Sequence, residues 1–156
     1  SAENASLMLL NDSAEHLDLW AASSALGKRG VYFGPGGWAG KRFRLGEGVA
    51  GRVAATGRHV RLDDVSGDDE FVRIPGVSGS TRSFMCFPLM IDGEPLGVVN
   101  LSHSRSGFFS IESERIMALV ANRCARLLVS HRAPVSGCFR DRALCHHGDQ
   151  VRAILR

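Results

Sequence analysis

The 156-residue chain is predicted to be an α+β domain, with a central, mostly antiparallel sheet and helices on its faces. Three observations predict this. Short apolar runs alternate with polar residues near the start and in the middle of the chain. A strong two-residue turn, Asp92-Gly93, joins two of these runs. A long segment of helical period, from Ile111 to about His131, closes the pattern. Strands that follow one another directly, rather than alternating with long helices, favour antiparallel pairing.

Taken in order, residues 5–10 are expected to be a buried strand. Asn11 to Glu15 carry turn chemistry, and residues 16–22 are read as a second strand with Leu17, Leu19 and Ala21 opposite His16, Asp18 and Trp20. The two form a hairpin. Residues 25–41 are rich in Gly and are read as a long mobile insertion that Tyr32, Phe33 and Trp38 fold back onto the body. Phe43-Arg44-Leu45 is extended. A short helix is expected over residues 49–56, stopped by Gly57. His59 to Leu62 is extended, and Phe71 to Ile74 is expected to form a short helix before Pro75. Ser83 to Ile91 is the clearest strand, with its return strand from Leu96 to Leu101. Ser110 is the expected N-cap of the last helix, with Glu112 and Glu114 in its first turn. Ile116, Val120, Cys124, Leu127 and Leu128 fall along one stripe of that helix, and Pro134 should end it.

The domain is expected over residues 1–131, with 132–156 as a basic, flexible tail. The 44% apolar composition supplies one core, and disorder of the whole chain is excluded. No apolar run reaches the roughly 18 residues of a membrane span, and no signal segment opens the chain, so a cytoplasmic protein with no membrane partner is expected. The net charge is +3, but residues 1–131 hold 14 basic and 14 acidic residues. A neutral body argues against nucleic acid as a partner. Cys86 and Cys124 read as small apolar residues, with no disulfide framework.

Phe43-Arg44-Leu45-Gly46-Glu47-Gly48-Val49-Ala50-Gly51, then Ala55-Thr56-Gly57-Arg58-His59-Val60, then Asp64-Val65 occur in series. Arg82 to Leu89, Gly93 to Leu101, and Phe109 with its following helix complete the set. In that order they resemble a GAF domain, over residues 5 to 131. The resemblance implies a PAS-related fold and a small ligand held between the sheet and its cover. The cover would be residues 63–82 and the floor residues 83–89 and 98–102. Phe71, Ile74, Arg82, Ser83, Met85, Phe87 and Asn100 are the implied ligand-binding residues. Arg82 and Ser83 would suit a carboxylate or phosphate.

Known ligand types of the family fit unevenly. The cyclic-nucleotide pattern Asn-Lys…Phe-x-x-x-Asp-Glu keeps only Asn100, Phe109 and Glu114. The phytochrome-type Asp-Ile-Pro is absent, because Arg73 precedes Ile74-Pro75. The Gly46 to Gly51 run has G-x-G-x-x-G spacing but no βαβ setting or acidic ribose ligand. Cys138, Cys145, His146 and His147 have no standard zinc spacing, and no metal site is expected. The acidic residues Asp63-Asp64 and Asp68-Asp69-Glu70 read as solvated or capping groups, with a cation or amine site as the sharper alternative. The cofactor stays unknown.

The expected function is therefore a sensory module, not an enzyme. It would bind an unidentified small molecule and relay its state through terminal helices to an output domain of a larger signal-transduction or transcription-regulatory protein. The chain is read as a fragment of that parent, pairing as a homodimer through its last helix. A dimerisation and relay module with a filled pocket is one rival. A free methionine sulfoxide reductase is the other, weakened by the single cysteine, Cys86, in the matching central region.

Overall fold

The structure is a computed structural model that describes residues 2–24, 42–73 and 78–132. Strands β1 (Asn4–Leu10), β2 (His16–Ser24) and β3 (Phe43–Arg44) are followed by helix α1 (Gly48–Thr56) and strand β4 (Val60–Leu62). A 3-10 turn covers Val65–Gly67. Strands β5 (Ser83–Ile91) and β6 (Glu94–His103) and helix α2 (Ile111–Arg132) complete the chain. The six strands form one sheet in the order β3-β2-β1-β6-β5-β4, and every pairing in it is antiparallel. The predicted α+β class is the one observed.

Two hairpins set the register. In the first, the Asn11 carboxamide oxygen accepts from the amides of Glu15 and His16, each at 3.1 Å, and so closes the turn. The β1–β2 register then shifts between Leu7 and Met8. Trp20 falls at this bulge and packs on the side of Leu7, away from Leu17 and Leu19. In the second hairpin Asp92 and Gly93 take φ of 51° and 86°, as a tight two-residue turn requires. A second bulge lies between Leu89 and Met90. Gly97 allows β6 to run close beside β1: a Cβ at that position would stand 2.1 Å from the Met8 carbonyl oxygen.

The sheet separates two apolar cores. On one face, Val49, Ala50, Val53 and Ala54 of α1 pack onto Met8, Leu17, Phe43, Cys86 and Val98. α1 ends at Gly57, whose amide donates to the Val53 carbonyl. On the other face, α2 packs onto Leu9, Met85, Phe87 and Leu89, with Phe109 sealing its start. The Ser110 hydroxyl accepts from the Ser113 amide at 3.3 Å, as an N-cap does.

Three expectations change. Phe71 to Arg73 are not helical; the one helical turn in that region is the 3-10 turn at Val65–Gly67. There the Asp64 carboxylate caps the Ser66 amide at 2.8 Å. β6 extends beyond Leu101 to His103. The inward face of α2 is Met117, Ala118, Ala121, Cys124, Ala125 and Leu128. Of the predicted stripe only Cys124 and Leu128 face the sheet; Ile116, Val120 and Leu127 are exposed. The small Ala121 and Ala125 bring the helix backbone close to the strands, which the bulkier stripe would hold off. The predicted insertion at 25–41, and residues 133–156 with Cys138, Cys145, His146 and His147, lie outside the described residues.

Candidate functional site

Strand alternation decides which side chains can share a site. The α1-facing side of the sheet has an apolar half, centred on Met8 and Val98. Its other half is polar. Here β1 and β6 set Asn4 opposite Ser102 and Ser6 opposite Asn100. Asn4 Nδ2 donates to Ser102 Oγ at 3.2 Å, and Asn100 Nδ2 donates to Ser6 Oγ at 3.1 Å. On the other side of β6, Cys86 lies opposite Asn100 and Phe84 opposite Ser102. Phe71, from the segment after the 3-10 turn, meets Phe84 edge-on with ring centres 5.1 Å apart.

Asn100 is the unusual residue of this floor. It is only 6% exposed, and its Oδ1 is buried with no hydrogen-bond partner. Buried polar atoms are rarely left so. Cys86 beside it is completely buried, and burial pushes its thiol well above the ordinary thiol range. It therefore stays protonated and uncharged.

The seven residues implied by the family resemblance do not converge. Phe71 and Asn100 share the α1-facing side. Ser83, Met85 and Phe87 alternate with Phe84 and Cys86 and lie behind the sheet. Met85 and Phe87 are buried in the α2 core, with the Phe87 ring stacked on His59 at 5.0 Å. The Ser83 hydroxyl donates to the Arg105 carbonyl at 2.8 Å, so it fixes the loop after β6 and does not face the floor. Arg82 is exposed and pairs with Asp64 at 2.9 Å. Ile74 lies outside the described residues. Phe84 and Cys86 lie in the floor expected at residues 83–89, though not among the implied ligand-binding residues, and Ser6 of β1 joins the floor with no expectation from sequence.

Asp64, Asp68 and Glu70 of the cover are engaged in structure. Hydrogen bonds from the Ser66 hydroxyl and amide, and then from Arg82, hold the Asp64 carboxyl well below the usual carboxylate range. Asp68 accepts from the Glu70 amide at 2.9 Å, and Glu70 pairs with Arg52 of α1. Among the described residues no cluster of His, Cys, Asp and Glu is arranged to hold a metal.

A polar tie links the β4 edge of the sheet to α2. Glu114, in the first turn of α2, lies 2.7 Å from His59 Nε2 through one carboxylate oxygen and 3.1 Å from Arg61 Nε through the other. Arg61 also donates to the Phe109 carbonyl at 2.7 Å. β4 is thus bound to the helix that covers the opposite face. No helix among the described residues is long and apolar enough to cross a membrane.

Comparison with known proteins agrees with the fold. A GAF domain family model matches residues 2–129. A probable 3′,5′-cyclic phosphodiesterase of Caenorhabditis elegans is 29% identical over 89 residues, spanning 56% of this chain and only 12% of that protein. The GAF domain of a phosphoenolpyruvate-protein phosphotransferase from Coxiella burnetii superposes with a TM-score of 0.69 at 23% identity, covering 85% of this chain and 74% of that one. The free methionine-R-sulfoxide reductase of Neisseria meningitidis superposes with a TM-score of 0.68 at 20% identity, over 86% of this chain and 71% of that one. At these identities the two structures are alike in fold.

Proposed function

The chain belongs to the GAF domain family, a family of regulatory small-molecule-binding modules, and from that premise we propose that it is the sensory module of a larger signalling protein. It holds a small molecule on the α1-facing side of its sheet and passes the bound state to α2. One observation carries this reading. β5 presents Phe84 and Cys86 to the floor and Ser83, Met85 and Phe87 to the opposite face, so the floor and α2 share one strand back to back. A shift of β5 on ligand binding changes the surface on which α2 rests. The Glu114 tie to His59 and Arg61 adds a second route from β4.

The test is a thermal-shift screen of the 156-residue chain against a broad metabolite library, followed by hydrogen exchange on any hit. A ligand that binds the folded state raises the melting temperature by mass action. Slowed exchange in both the floor strands and α2 is expected. A hit that protects the floor and leaves α2 unchanged overturns the relay.

Self-association is the second part of the reading. Ile116, Leu119 and Leu127 of α2 are 60%, 72% and 51% exposed, and so wide an apolar face favours a two-fold partner. The proposal does not include catalysis. A thiol reductase needs an accessible thiolate, whereas among the described residues Cys86 is buried and protonated, and Cys124 packs in the core on the other side of the sheet.

A further inference from the structure

The geometry points to the ligand's chemical class: a neutral, flat molecule with a cyclic amide edge, its N–H donating to Asn100 Oδ1 and its C=O accepting from the Ser6 hydroxyl. This rests on the proposal that the α1-facing side of the sheet takes a small molecule.

The argument begins at the unpaired atom. Asn100 Nδ2 is engaged by Ser6 Oγ, which turns Oδ1 away from β1. That oxygen is closed off from solvent and has no partner. It is an acceptor only, so what completes it must be a donor. Ser6 Oγ uses a lone pair to accept from Asn100 and keeps its own proton for a further acceptor. A ligand that carries both an N–H and a C=O, as a lactam or pyrimidinone does, offers the donor that Oδ1 lacks and an acceptor for the Ser6 hydroxyl.

Charge narrows the class. Asn4, Ser6, Asn100, Ser102, Phe84 and Cys86 bring no ionised group to this half of the floor, the Cys86 thiol being held protonated. An anion or cation seated there would lose its hydration with no opposite charge from these residues, which is strongly unfavourable. Of the nearby cations, Arg82 is committed to Asp64. Arg73 lies 5.7 Å over the Phe71 ring and reaches the Ser78 carbonyl at 3.4 Å. Shape follows from the aromatic pair. Phe71 and Phe84 are half-buried and perpendicular, which suits a flat ring laid against one of them.

The experiment uses matched probes on the whole chain. Uracil and 2-pyridone offer the amide edge; 1,3-dimethyluracil and N-methyl-2-pyridone lack the N–H. At saturating concentration the N–H members are expected to raise the melting temperature by about 3 °C or more, and the N-methyl members by none. In Asn100→Val that shift should vanish, while the variant alone melts close to the parent's temperature, because the change removes both the hydrogen bond to Ser6 and an unsatisfied polar atom. Ser6→Ala should weaken the shift. Equal shifts from N–H and N-methyl probes overturn the assignment, as does an Asn100→Val variant that keeps the shift. If cyclic AMP, whose base carries no lactam edge, shifts the chain and the amides do not, the ligand class fails but the small-molecule reading stands. If neither these probes nor the metabolite library shifts it, both fail.

Discussion

At position 83 a fully buried hydroxyl donates to the Arg105 carbonyl at 2.8 Å, and this fixes what substitution there can do. Ser83→Ala should lower stability by about 1 kcal/mol, the usual net value of one buried hydrogen bond. Ser83→Arg would force a cation into a fully buried position behind the sheet and should cost on the order of 3–5 kcal/mol. The denaturant midpoints of the two variants check this; a near-parental midpoint for Ser83→Arg would return the residue to an accessible site. Asp64 gives a pH prediction. Its carboxyl is held well below the ordinary value by Ser66 and Arg82, so its bonds contribute fully above the unfolded pKa of about 3.9 and are lost as pH falls through the lower folded value. The stability gap between the parent and Asp64→Asn should therefore be constant from neutral pH down to about pH 4 and close only below it. Urea midpoints of both proteins, followed from neutral pH to well below pH 4, would show a gap that does not change with pH if the carboxylate were not held. Much of this is readable as residue type: an acidic stretch among turn residues implies capping or solvated groups, and Asp64 does cap a turn. The fate of Ser83 is not, because it depends on which face of β5 it occupies.

Between elements, the decisive feature is the β5–β6 hairpin. Asp92-Gly93 announced the turn, and both residues adopt the positive φ it needs. Gly93→Val should therefore lower the unfolding midpoint, by on the order of 1 kcal/mol or more, and an unchanged midpoint would contradict the turn. Counting outward from a two-residue turn with no bulge sets Met85 opposite Asn100. The shift between Leu89 and Met90 sets Cys86 there instead, and one residue of slip moves every side chain to the other face. That slip is why Met85 and Phe87, grouped with Asn100 from the family resemblance, pack under α2. A signal for it exists in Pro95 and Gly97. Proline cannot donate to the ladder, and the Gly97 backbone lies against the Met8 carbonyl. The first hairpin repeats the lesson, since the bulge at Trp20 ends the alternation expected for residues 16–22. Strand existence was legible from local pattern, whereas register depended on contacts far apart in sequence. Gly97→Ala tests the close approach. Its added methyl would meet the Met8 oxygen at 2.1 Å, and forced overpacking of this kind costs about 1–3 kcal/mol. A stability equal to the parent's would mean that β1 and β6 can separate without penalty.

For the whole molecule the question is what the second apolar face of α2 is for. Sequence periodicity alone could not choose between the stripe through Ile116, Val120 and Leu127 and the one through Met117, Ala121 and Ala125. Both satisfy helical spacing, and size favoured the wrong one as the core-facing side. The sheet takes the small residues, so the larger ones remain outside, and only Cys124 and Leu128 of the expected stripe face inward. This separation makes the proposed dimer testable in a way that a shared core face would not allow. Leu119→Glu and Leu127→Glu place charge on side chains that are 72% and 51% exposed. Exposed substitutions away from the core usually change stability by less than about 0.5 kcal/mol, so the double variant should melt close to the parent. Its association should change sharply, because two carboxylates per helix would be buried unpaired against their symmetry mates. Sedimentation over a concentration series is expected to show the parent moving from monomer to dimer and the double variant staying monomeric. A parent that is monomeric up to about millimolar concentration, far above the range in which a stable homodimer forms, rules out self-association of this chain through α2. Loss of melting temperature in the double variant would instead show that these leucines stabilise the domain's own fold.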